Sequence, residues 1–334
     1  MAGNSLNSQY NFSTIMGQFA PDQKTLMPYI DGMVEMTPLL ADFPVREAMF
    51  IDQDMVNRWT QYPVPYWHKL GEGLTATMGH QDQMFESMGM LRNQMRINVE
   101  TLKKVPAGGR ESWMAQQERG YFEGMRQEVE NTLVYGKKGS TPEEFDGLDV
   151  RCAAIADNSV FDNGGSDSGN LTTVWLIQPD VNECCLIFPK DGQGGLRRIP
   201  KGVHQMSTDT DATGSVESTK AYAEFALTNF EWDLGLCVHD TRRVKAVRNV
   251  HKTIKHANEL DVDILIQAKN SFRTTGQIYA YMHQDVASSL QIQIKDKGNV
   301  WMNPTTPFGE PTVYVLNMPI RISDAILLTE TTVS

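Results

Sequence analysis

Between Leu91 and Glu100 apolar and polar side chains alternate. Leu91, Met95, Ile97 and Val99 share one face, and Arg92, Gln94, Arg96, Asn98 and Glu100 share the other. A period of two predicts a half-buried strand. Upstream, residues 58–70 read RWTQYPVPYWHKL, aromatics interleaved with two prolines. Proline within a strand-like run predicts an edge strand or an exposed ribbon. A Gly- and Met-bearing tip, GEGLTATMGHQDQ, joins the two stretches. Residues 58–104 are therefore expected to form one long two-stranded excursion. Such a ribbon is marginal alone and should rest on a neighbouring subunit.

The pattern then changes period. Met114, Phe122, Met125, Val129 and Leu133 recur at three-to-four spacing and end at Gly136, which predicts a helix over 111–136 with one buried stripe. Gly120 and Gly124 lie inside it, where glycine lowers helix propensity. After it come the turn FDGLDVR (145–151) and the polar loop DNSVFDNGGSDSGN (157–170). Gly147 or the 163–169 loop, whose composition suits a mobile segment, is expected to mark the passage between two lobes. Replacement of Gly147 by valine should then harm assembly more than subunit stability, and changes in 163–169 should be tolerated. LTTVWLIQP and ECCLIFPK predict two short strands, and residues 220–240 a long alternating one. Helices are expected over 258–273 (Leu260, Ile264, Ala268, Phe272) and 275–296 (Ile278, Met282, Val286, Leu290), followed by strand, turn and strand to the end. The first 45 residues carry short apolar clusters without a period and read as an extended arm. The order lacks βαβ regularity, so the fold class is α+β.

Composition narrows the function. The chain has 334 residues, 40% hydrophobic and 21% charged, with formal net charge -11. An acidic chain repels phosphate backbones unless it carries a local basic patch. The densest basic stretch, HDTRRVKAVRNVHKTIKHAN (239–258), reads as a solvated strand and loop. No apolar run reaches the roughly 20 residues of a membrane span. The start lacks a signal-peptide pattern, so synthesis and retention in the cytosol, or assembly from it, are expected.

Chemical motifs are sparse. Cys152, Cys184, Cys185 and Cys237 show no C-x-x-C spacing and read as reduced packing residues. Asp209, Asp211, Thr213 and Gly214 fit the first half of a calcium loop, but Lys220 stands where a bidentate carboxylate is needed. His239, His251 and His256, with Asp240 nearby, read as solvent-facing histidines, since the five-residue step between the last two suits no single helix face. Asp261 and Asp263 read as helix-start acids. No phosphate loop, nucleophile elbow or zinc-protease motif occurs, so no catalytic, cofactor or metal residue is assigned.

Four motifs occur in order: Phe145-Asp146-Gly147-Leu148 after the long helix; TVWLIQPDVNECCLIFPK; FEWDLGLCVHDTRRVKAVRNV with Asp240, Arg243 and Asn249; and MPIRISDAILLTET. With the order arm, ribbon, long helix, glycine junction and mixed sheet, the chain resembles the major capsid proteins of tailed bacteriophages. These have the Hong Kong 97 type fold, and the shell proteins of short-tailed phages similar to epsilon fifteen share these motifs. The resemblance covers most of 30–334; the first 30 residues and the 200–220 turn match no family pattern. It implies an N-terminal arm (1–45), an extended ribbon or E-loop (46–107), a spine helix of a peripheral domain (108–140), a mixed sheet largely of an axial domain (141–257) and a completing segment (258–334). It also implies a non-enzymatic shell of hexamers and pentamers in the virion, assembled in the host cytoplasm. The shell would enclose double-stranded DNA without sequence-specific binding, with portal, scaffolding and decoration proteins as partners and no membrane or cofactor. Candidates for assembly or hinge roles are Tyr62, Tyr66, Trp67, Arg96, Met125, Gly147, Trp175 and Trp232. The rival readings are an encapsulin-type compartment, a metal-dependent hydrolase with a site around 239–263, and a tail or decoration protein.

Overall fold

A computed structural model describes residues 37–192, 194–208, 221–297, 314–315 and 317–334. The calcium-like stretch 209–220 and most of the expected arm lie outside the described residues. In chain order the elements are α1 (Pro38–Asp42), β1 (Val45–Glu47), β2 (Gln53–Gln61), β3 (His80–Ser87), β4 (Gly89–Asn98), α2 (Val99–Lys104), α3 (Arg110–Tyr135) and α4 (Leu148–Arg151). There follow β5 (Val160–Asp162), β6 (Leu171–Ile177), β7 (Cys184–Phe188), β8 (Arg197–Thr208), β9 (Ala221–Val238), β10 (Val244–His251), α5 (Val262–Asn270), β11 (Tyr279–Met282), α6 (Gln284–Lys297), β12 (Tyr314–Val315) and β13 (Met318–Ile322). The chain is α+β, as expected. Its residues gather into two units that interleave along the sequence.

The first unit comprises, among the described residues, 90–126 and the 195–232 excursion. β8 pairs antiparallel with β9, and β4 lines the other side of β9. The ladder slips between Pro200 and Gly202, where proline cannot donate and Gly202 turns to positive φ. Asn98 ends β4 and caps α2, its side chain accepting from the Glu100 amide. Met95 and Ile97 point inward, as the alternation requires, onto Val105, Trp113, Met125 and Phe230. Tyr121 and Phe122 of α3 flank the Phe230 ring at 5.5 and 5.1 Å. The stripe expected on the helix is therefore real, with Met125 buried in this core. Met125→Asp should lower subunit stability by several kcal/mol (about 3 or more), since the carboxylate would find no partner there. Urea unfolding followed by circular dichroism checks this, and a parental midpoint would contradict it.

The second unit comprises, among the described residues, those within 35–89, 127–194 and 233–334. Its main sheet runs β12-β13-β11-β6-β10-β5. Every residue of β6 and β10 is buried, which explains their lack of alternation. Val262, Leu265 and Ala268 of α5 and Val286, Ala287 and Leu290 of α6 close over Val174, Leu176, Val247, Val250, Ala280 and Met282. Asp261 caps α5 through the Asp263 amide, as expected of helix-start acids. The helix expected over 275–296 begins only at Gln284. Tyr279–Met282 is instead a strand between β6 and β13, and the His283 ring accepts the Asp285 amide at the helix start. β1 pairs parallel with β7, and β7 pairs antiparallel with the end of β9.

The expected ribbon closes differently. β2 pairs with β3 from Gln53↔Ser87 to Gln61↔His80. The alternating stretch expected as its return limb is β4, whose apolar face is spent on the first unit's core. The true return limb, HQDQMFES, carries almost no apolar periodicity, because the hairpin has little core of its own to face.

Candidate assembly surface

The hairpin β2–β3 has a fixed root and a bare tip. At the root, Asp54 and Glu86 are directly opposed across the ladder, and both are buried. Two bare carboxylates there would repel, so each has its own cation. Arg151 holds Glu86 in a fork of two 2.7 Å bonds and reaches the Leu236 carbonyl at 3.1 Å. Asp54 takes the Met49 amide at 2.9 Å, lies 3.1 Å from His239 Nε2 and pairs with Arg46. Burial alone would raise the Asp54 carboxyl. The Met49 amide, His239 and Arg46 outweigh it and hold the group below the usual carboxylate range.

Asp54, Cys237 and His239 place three metal-ligating groups within 4.8 Å of one another. Arg46 Nη2 sits among them, bonded to Asp54, 3.4 Å from His239 Nε2 and 3.8 Å from Cys237 Sγ. A guanidinium already supplies the positive charge, so the set reads as an internal ion pair rather than a metal site.

Beyond Gln61 the regular ladder ends, and residues 62–79 carry no helix or strand. Val64, Trp67, Leu70, Leu74 and Met78 stand exposed there, Trp67 and Leu70 fully so. The tip has local order nonetheless. Tyr62 stacks on Trp59 with centroids 5.8 Å apart, and the Tyr66 hydroxyl accepts the Thr75 amide. A Cβ at Gly79 would fall 2.6 Å from Trp59 and 2.7 Å from the Gln61 carbonyl, so only glycine fits that corner. An exposed run of large apolar side chains marks a surface that another molecule covers.

The eight assembly or hinge candidates separate cleanly. Tyr62, Tyr66 and Trp67 lie together on the tip, exposed. Arg96 lies on β4, donates to Gln94 at 2.5 Å and lines a groove of about 670 Å³ with Arg92, Tyr121 and Phe225. Met125 and Trp232 belong to the first unit's core. Trp175 is buried in β6 with the Arg248 guanidinium 4.8 Å over its ring. Gly147 is buried against the end of α3. The root residues Asp54, Glu86, Arg46 and Arg151 escape a sequence search, because each is a lone charge whose partner is distant in the chain.

Two expectations about charge are corrected. The strand part of the basic stretch 239–258 is not solvated, for Arg243 pairs with Glu183, Lys245 donates to the Asn158 carbonyl at 2.9 Å, and Arg248 is almost wholly buried, whereas residues 253–257 are exposed as expected. Arg243, Lys245 and Arg248 are consumed inside the sheet, and the exposed Arg242 is held by Asp240 at 2.7 Å. His239 and His251 are likewise buried, and His251 stacks on the exposed His256 with ring centroids 3.7 Å apart.

The family described as Major capsid protein GP7 matches residues 21–334. The chain belongs to that family. A chain of the bacteriophage Epsilon15 structure superposes with a TM-score of 0.73 at 18% identity, over 100% of this chain and 98% of that one. The fold is accordingly of the Hong Kong 97 type. The bacteriophage JBD30 capsid gives a TM-score of 0.46 at 8% identity, covering 88% and 93% of the two chains. The holo-SrpI encapsulin complex from Synechococcus elongatus gives 0.46 at 9%, covering 74% and 98%. No curated protein matches the chain. As a phage major capsid protein it is a structural component of the virion shell that associates with its own copies.

Proposed function

We propose that this capsid protein closes, as hexamers and pentamers, into an icosahedral shell around double-stranded DNA, and that the β2–β3 ribbon is the extended loop that ties subunits together. The carrying observation is the ribbon itself, a root clamped by ion pairs to two buried carboxylates and a tip of exposed Trp67, Leu70, Leu74 and Met78. A neighbouring copy is the partner always present at the concentration assembly requires. The net charge of -11 and the internal pairing of Arg243 and Arg248 support a lining to which packaged DNA does not stick. Portal, scaffolding and decoration proteins complete the particle in this reading, which is assembled in the host cytoplasm. The peripheral and axial domains correspond in it to parts of the two interleaved units.

The double variant Trp67→Ser, Leu70→Ser tests the ribbon. Both side chains are exposed, so subunit stability should stay within about 0.5 kcal/mol of the parent. Sedimentation and electron microscopy should show free subunits or capsomers instead of closed shells. Normal shells would refute the role. Nuclease treatment of shells from infected cells, followed by extraction, should recover protected double-stranded DNA; a protein cargo in its place would favour a compartment.

A further inference from the structure

The 195–232 excursion leaves the second unit after β7 and returns within β9. At its neck, Cys185 of β7 stands directly opposite Cys237 of β9 in the antiparallel register. Directly opposed antiparallel residues have Cα atoms about 4.5 or 5.5 Å apart. Both values fall in the range of about 4.4–6.8 Å that a disulfide spans without moving the backbone. The side chains share a face and hydrogen-bond to each other, and both thiols are free and buried in one small cluster with Ala48 and Ile187. Cys184, one residue earlier, points to the other face and has no such partner in the register.

From this geometry we propose that Cys185 and Cys237 form a thiol–disulfide site, a clasp that closes the neck of the 195–232 excursion when the particle meets an oxidising thiol pool. The Arg46 guanidinium, 3.8 Å from Cys237 Sγ, places a cation beside the pair and favours thiolate formation. The Cys237 hydrogen bond and the Arg46 guanidinium favour the Cys185 thiolate against burial, so its thiol titrates below the usual value. The Cys237 thiol is pushed up by that same contact and by burial. Burial pushes Cys184 up to about 12, which leaves it inert.

The exchange runs through one sulfur of the pair, for instance Cys185, and is resolved by the other. The Cys185 thiolate attacks a low-molecular-weight disulfide such as oxidised glutathione. An S–S bond forms to one half, and the other half leaves as a thiolate. Cys237 gives up its proton and attacks Cys185 Sγ, expelling the second half. Two protein thiols lose two electrons, the small disulfide gains them, and the two thiol protons end on two small thiols. Access requires local opening beside Arg46, whose side chain is 27% exposed while Asp54 beneath it is 1% exposed. Once formed, the bond closes a long internal loop, which restricts the unfolded chain most when the loop is long.

The test equilibrates the full-length protein without oxygen across a series of reduced-to-oxidised glutathione ratios, quenches with iodoacetamide and maps peptides by mass spectrometry. The expected result is a Cys185–Cys237 linked peptide that grows with the oxidised fraction and approaches full occupancy. It should persist in C184S and vanish in C237S. The oxidised parent should unfold at a higher temperature than the reduced one, a difference absent from C237S. If C237S fails to fold, C185S provides the same control, and the linked peptide in the unaltered chain decides alone. Complete alkylation of both thiols at every ratio would overturn the proposal, as would a stable glutathione adduct without linkage.

Discussion

Gly147→Val is expected to leave most of the subunit insoluble, and any soluble fraction less stable by on the order of 3 kcal/mol or more. A Cβ at this position would lie 2.7 Å from the Thr132 carbonyl, 2.9 Å from the Gly136 amide and 2.9 Å from the Leu133 carbonyl. Those atoms are the backbone of the last turn of α3 and its exit, and they cannot move aside as a flexible side chain would. The Gly147 amide donates to the Gly136 carbonyl at 2.9 Å, and the Gly136 amide to Thr132 at 2.8 Å. The chain therefore closes the helix end with two glycines in contact. Its φ of -80° is open to any residue, so the requirement is room, not backbone freedom. This reverses the expectation that the substitution would harm assembly before stability. Gly139→Ala makes the control, because a Cβ there meets nothing within 4 Å. Urea midpoints of the two variants should separate widely, and a parental midpoint for Gly147→Val would contradict the packing argument.

The loop 163–169 teaches a related lesson. Its composition promised mobility and tolerance, yet the structure ties it down. Asn163 donates to the Asn258 and Glu259 carbonyls at 2.9 Å each, Gly165 donates to Asn249, and Gly169 donates to Glu330 at 2.9 Å. A Cβ at Gly165 would come within 2.3 Å of the Asn249 carbonyl, and Gly164 and Gly169 both have positive φ. Polar, glycine-rich sequence cannot announce that its partners are backbone groups of distant segments. Gly165→Ala should therefore destabilise measurably, with thermal unfolding as the readout; equal tolerance across the loop would restore the original expectation.

Legibility followed the same physical line elsewhere. The stripe on α3 and the inward face of β4 were readable because burial on one face imposes a period on the sequence. The partner of β4 was not, since alternation says which residues turn inward and nothing about which strand they meet. Ile278, Met282 and Val286 mimicked one helix because the end of β11 and the start of α6 happen to place apolar residues four apart. On the ribbon, the aromatic residues at 62, 66 and 67 were visible from their density on either side of Pro63 and Pro65. The root was hidden, because Asp54 and Glu86 look like surface acids until Arg46 and Arg151 are brought to them.

Arg248 is the most deeply placed cation described here, and Arg248→Met should cost about 3–5 kcal/mol. Its guanidinium bonds Asp149 Oδ1 at 2.7 Å, Thr173 Oγ1 at 3.1 Å and the Cys152 carbonyl at 2.9 Å, and lies 3.7 Å from Glu330. Methionine would fill much of the volume over Trp175 but satisfy none of these acceptors. Glu330 would keep the Tyr135 and Thr173 hydroxyls while losing its nearest cation. Burial already raises its carboxyl against those contacts, so the variant should push it further up. Asp149 responds differently. Burial would raise it, but Lys137 and Arg248 hold it below the usual carboxylate range. A depressed folded-state value means stabilisation that is present above the unfolded value and lost as pH falls through the folded one. In the parent that loss lies below about pH 4. In Arg248→Met, Asp149 keeps only Lys137, so its share of the acid-dependent loss should shrink, while Glu330, raised in the parent and further in the variant, makes the variant's stability fall more as pH rises above about 4. Urea midpoints from pH 3 to pH 7 (roughly spanning these windows) should show the variant losing stability relative to the parent as pH rises over that range. Parallel curves would mean that Arg248 contributes packing alone.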